Sequence, residues 1–95
     1  MGEGPQVQRR QASEGARARL DSAQAQMTAA DKRAQLAREL RGFFQKSFQM
    51  GETDLSTRLR IELEAMEADR QATRSHVELA AVVSTWRQAL GLLPE

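Results

Sequence analysis

One histidine, no cysteine and a run of carboxylates are the only groups in this sequence suited to acid–base or metal chemistry. His76 has no second histidine or thiolate with which to share an ion. Glu78, two residues on, points to another side of a helix. The usual spacings of metal ligands are absent, so we expect neither a metal nor a cofactor. Glu62, Glu64, Glu67 and Asp69 form an acidic run, but Arg58, Arg60, Arg70 and Arg74 interleave with it. That alternation reads as a solvated face laced with ion pairs. Carboxylates working as general acid and general base need a pocket that drives their pKa values apart. Two helices enclose no such pocket, so we expect no catalytic residue and no enzyme.

The basic residues give an equally plain reading. Arg9, Arg10, Arg17 and Arg19 are interrupted by Glu14 and Asp21. With a net charge of +1 the chain lacks the basic footprint of a nucleic-acid binder. Charge is split unevenly along the chain, however. Residues 1–48 hold nine basic and five acidic side chains; residues 49–95 hold five and eight. This favours laying one half against the other, as a choice of partner more than a source of strength.

The elements that carry these residues are helical. Residues 1–10, with two glycines and a proline, read as a disordered N-terminal segment. From about 11 to 49 strong helix formers dominate. Ala16, Leu20, Ala23, Met27, Ala30, Ala34 and Ala37 recur at steps of three and four, a heptad-like seam. Leu36, Leu40, Phe43, Phe44 and Phe48 thicken its apolar side further on. Gly42 reads as a close approach, a local bend or simple tolerance. A second helix spans about 55–90, with Gly91 at its C′ position, Pro94 soon after and a tail at 92–95. It carries two apolar stripes. Leu59, Leu63, Met66, Val77 and Ala80 form one; Ile61, Ala65, Ala68, Ala72, Leu79, Val83, Trp86 and Leu90 form the other. An isolated hairpin needs one buried stripe per helix, so the second asks for another helix.

Between the helices stands "FQMGETDLS", Phe48 to Ser56. Gly51 permits a positive φ and stops the first helix. Glu52 and Thr53 cross over, and Asp54 is the N-cap of the second helix, with Ser56 the competing choice. Asp54 precedes Arg58 by four residues, the favourable order for an ion pair. Leu55 is expected to pack back on Phe48 or Met50. The fold class is therefore all-α: a long antiparallel two-helix hairpin, or coiled coil, with a turn at 50–54. With so small a core it should self-associate, as a dimer or four-helix bundle.

The run "FFQKSFQMGETDLSTRLRIELEAMEADRQATRSHVELAAVVSTWRQALGLLP" resembles the end of a repeat in TolC-like outer membrane efflux proteins. The likeness rests on Phe48, on Gly51-Glu52 followed by Thr53-Asp54 and Leu55, and on the close Ala89-Leu90-Gly91. Ala12 to Leu40 is similar to the helix preceding that motif. The resemblance implies a periplasmic hairpin of a trimeric channel that exports metals or drugs through a tripartite pump. It implies that Gly51, Glu52, Thr53, Asp54 and Leu55, with Thr57 and Arg58, form a tip that docks a membrane fusion (adaptor) protein. Leu59, Leu63 and Met66 would begin the coiled-coil packing, joined by Leu20, Met27, Leu40, Phe44, Phe48, Val77, Val83, Trp86 and Leu90.

The alternative is a small helical protein–protein interaction or regulatory module without a transport role. Location follows the choice: periplasm and outer membrane for a piece of an efflux protein, cytoplasm for a free-standing protein without a signal peptide. A transmembrane helix needs about 18 or more consecutive apolar residues; none occurs, and no direct membrane insertion is expected.

Overall fold

The computed structural model describes residues 4–91 of the 95-residue chain. Two helices, α1 (Gly4–Gln49) and α2 (Leu55–Gly91), are joined by residues 50–54. They run antiparallel as a rod 74 Å long and 22 × 15 Å across. The expectations for residues 1–3 and for 92–95 lie outside the described residues.

Helix α1 starts at Gly4, not near residue 11. Pro5 explains the early start: its fixed φ suits the first helical turn, where a missing N–H costs nothing. Gly91 is the last residue of α2 and lacks the left-handed φ of a C′ glycine; among the described residues that conformation occurs only at Gly51, at φ 77°. A Cβ added at Gly42 would meet nothing within 4 Å, so this glycine does not mark a close approach.

The seam between the helices is made of alanine. Ala23, Ala30 and Ala34 of α1 are buried, as are Ile61, Ala65 and Ala72 of α2. Ala30, Ala34 and Ala72 pack together, with Ala68 beside them. Methyl side chains let two backbones come close, and each buries little area. Leu20, Met27, Phe44 and Phe48 continue the seam half-buried on α1, and Leu79, Val83 and Trp86 on α2.

Of the two stripes on α2, the alanine-rich one faces α1. Leu59, Leu63, Met66 and Val77 are exposed, as are Leu40 and Leu90. These six positions take no buried part in the packing between α1 and α2, and a role in helix packing is left to them only against another helix: the heptad steps 61, 65, 68, 72 match the steps 23, 27, 30, 34 of α1, and only one stripe can face one neighbour.

Beside the seam runs a polar ladder. His76 Nε2 lies 2.9 Å from Asp31, Arg38 donates to Asp69 at 3.1 Å, and Gln45 donates to Glu62 at 3.5 Å. Asp31, Arg38 and Gln45 are spaced by seven residues, and so are their partners in reverse order. A seven-residue repeat on both helices fixes the register of the whole hairpin.

Candidate functional site: the hairpin tip

The tip is built by two helix caps placed back to back. At the end of α1, the Gly51 N–H donates to Phe48 O at 3.0 Å and the Glu52 N–H to Ser47 O at 2.9 Å. These are the two bonds of a Schellman motif, which needs the left-handed backbone that glycine adopts without strain. At the start of α2, the Thr57 N–H donates to Asp54 Oδ1 at 2.9 Å and the Arg58 N–H to Asp54 O at 3.2 Å. Asp54 is thus the N-cap, and Ser56 is not. Hydrogen bonds from Thr57, through its hydroxyl and then its backbone amide, hold the Asp54 carboxyl below the usual carboxylate range.

Side chains close the tip differently from the expectation. Leu55 does not seal it: Leu55 is 55% and Met50 69% exposed. Closure comes from Thr53, whose hydroxyl donates to Ser47 Oγ at 2.7 Å, and from Arg58. The Arg58 guanidinium sits 4.7 Å over the Phe48 ring and donates to Glu62 at 3.3 Å. The expected Asp54–Arg58 pair is replaced by this Arg58–Glu62 pair. A guanidinium gains more from an aromatic face and a carboxylate together than from one exposed acid.

The expected tip residues are therefore one structural unit with two roles. Gly51, Thr53, Asp54, Thr57 and Arg58 shape the turn. Glu52, Met50 and Leu55 expose their side chains to solvent. The residue types alone do not single out Ser47, nor Met50 as an outward-facing side chain. Ser47 has a signal that could have found it: it is the C3 position that a Schellman motif at Gly51 requires.

The remaining chemical suspects resolve as surface pairs. Arg60 pairs with Glu64 and Arg70 with Glu67, both exposed. His76 pairs with Asp31 in the ladder. Among the described residues no three ligating side chains gather to hold a metal ion, and no helix is long and apolar enough to cross a membrane. Compared with protein-family models, curated proteins and solved structures, the chain finds no match.

Proposed function

We propose that this chain is a helical hairpin of an efflux channel wall, and that its tip docks an adaptor protein of a tripartite pump for export of metals or drugs. The observation that carries the reading is the tip. Two capped helix ends hold Met50 and Leu55 in water beside Glu52 and Asp54, at the end of a 74 Å rod. A protein that needed only a reversal of direction has no use for two large apolar side chains held outward there. Two apolar side chains carried on capped helix ends and rimmed by carboxylates suit a partner with an apolar notch and basic neighbours, since the backbone that presents them is already ordered. The family resemblance of the joint, the helix and its close supplies the transport setting.

The alternative is an interaction module without a transport role, favoured by the exposed strips along both helices, which offer binding surface away from the tip. Titration of labelled hairpin with a periplasmic adaptor protein separates the two. Gly51→Val should distort the Schellman turn, and Leu55→Asp should spoil the apolar pair without touching the caps. We expect both to weaken docking by about tenfold or more. Unchanged affinity in both variants overturns the tip reading, and association that survives them through the helix flanks supports the module.

A further inference from the structure

The seam does not run the length of the hairpin. Its buried positions end at Ala23 on α1 and Ala72 on α2; none of residues 4–22 or 73–91 is buried. Toward the open end, small side chains leave space between the helices unfilled. The result is a groove of about 400 Å³, walled by Ala12, Ala16, Ala81 and Ala89 with Trp86 and Arg19. That volume is within the range of small-molecule sites. The groove shares no residue with the outer strips, Leu36, Leu40 and Phe43 on α1 and Leu59, Leu63 and Met66 on α2.

Its polar groups are few. Thr85 donates its hydroxyl to Ala81 O at 3.0 Å, within its own helix. Arg19 is the one charged side chain that lines the groove. Its Nη1 lies 3.8 Å from the point where a Cβ on Gly15 would stand. The guanidinium is therefore laid back along α1 toward the open end, over a place that the glycine leaves vacant.

The surrounding charges fix the sign of a ligand. An adjoining groove of about 140 Å³ shares Ala12, Ala16, Trp86 and Ala89 and is bordered by Arg9. No carboxylate lines either groove, and neither arginine pairs with an acid within the described residues. The acids of this end face elsewhere. At 3.6 residues per turn, Arg19 lies about 60° to one side of Ala16, whereas Arg17, Asp21 and Glu14 lie about 100°, 140° and 160° to the other. There Arg17 pairs with Asp21 at 3.9 Å. Glu78 lines the next groove along the hairpin, which Arg19 also borders. Since His76 stands opposite Asp31, Glu78 is level with Ala29. That is about 15 Å along α1 from Arg19, in the direction away from Gly15.

We propose that the open-end groove is a binding site for a small aromatic acid. The ring lies between the alanine walls against the Trp86 indole, a surface that favours an aromatic partner over a saturated chain of equal area. The carboxylate takes the Arg19 guanidinium, whose paired donors match its two oxygens. The site lies at the opposite end of the rod from the tip and shares no residue with it. It stands or falls separately from the docking reading.

Trp86 is the only tryptophan in the chain, so its indole N–H gives a single nuclear magnetic resonance signal that reports from the groove. 2-Naphthoate is titrated into the full-length chain, with 2-naphthalenemethanol as the ring without a charge and octanoate as the acid without a ring. We expect 2-naphthoate to shift the indole signal saturably, the alcohol to bind about tenfold more weakly or worse, and octanoate to bind several-fold more weakly. Arg19→Gln, at an exposed position, should lose about tenfold or more in affinity for 2-naphthoate while keeping the amide spectrum of the parent. Ala16→Leu, which fills the groove, should abolish binding, and Leu63→Ala on an outer strip should bind as the parent does. The proposal is overturned by the absence of a saturable shift in the parent, or by equal affinity in Arg19→Gln or for either control compound. Binding seen only when Leu92→Ser and Leu93→Ser are introduced would give the groove to the chain's own residues 92–95. An indole signal that moves with protein concentration and ignores 2-naphthoate would give it to a second copy. Either result also overturns the proposal.

Discussion

At the residue scale, the tip shows how a few local interactions fix a turn. Asp54 makes the sharpest case. Its carboxylate accepts the Thr57 N–H at 2.9 Å, and Thr57 holds its pKa below the ordinary value. A carboxyl whose folded pKa is depressed stabilises the fold above its unfolded pKa, about 3.9. That contribution is lost as the pH falls through the folded value. We expect the parent chain to lose thermal stability below about pH 4 more steeply than Asp54→Asn, whose amide caps without titrating. Melting curves followed by circular dichroism between neutral and acid pH check this; equal slopes for the two chains would deny Asp54 its role. Gly51 and Asp54 were legible in the sequence because caps depend on residue types within a few positions. The fate of Arg58 was not. Its choice between Asp54, Glu62 and Phe48 depends on where α1 returns alongside α2, which local spacing does not encode.

At the scale of the helices, the informative outcome is that alanines went inside and leucines stayed out. The α1 seam was legible from its steps of three and four, and so were both stripes of α2. Which α2 stripe would face α1 was not, because large apolar residues weigh more in any hydrophobic reading than alanine does. Packing decided otherwise. A seam of methyl groups is matched by another such seam, while a side chain of the other stripe turned inward, such as Val77 level with Ala30, would hold the helices apart. This makes opposite predictions for two neighbours on α2. Ala65 is 0% exposed, and Ala65→Leu should overpack the seam and destabilise the hairpin by about 1–3 kcal/mol. Leu63→Ala removes a larger side chain, yet should change the stability of a dilute sample by no more than about 0.5 kcal/mol, as at other surface sites. Urea denaturation of both variants at low concentration gives the comparison. A larger loss for Leu63→Ala would mean that the leucine stripe, and not the alanine stripe, holds the hairpin together.

At the scale of the whole molecule, a 74 Å rod of two helices has a great deal of surface for its core. Its buried side chains are alanines and one isoleucine among the described residues. Exposed ion pairs such as Arg38–Asp69 and Arg70–Glu67 add little each. A chain of this size with so thin a core is marginal alone, whereas covering the outer strips adds apolar burial at about 25 cal/mol per Å². Stability should therefore depend on the concentration of the protein, since a partner that binds only the folded form stabilises it by mass action. We expect the melting temperature to rise by several degrees when the concentration is raised about a hundredfold, because such a change in ligand excess is worth about 2.7 kcal/mol at most. Phe43→Asp and Leu63→Asp each put a charge in one strip and leave the alanine seam alone. Either should flatten the dependence, and should do so without lowering the melting temperature of the dilute chain. A melting temperature that ignores concentration in the parent chain, with sedimentation at the monomer mass throughout, would mean that the alanine seam suffices by itself and that the outer strips are not needed for stability.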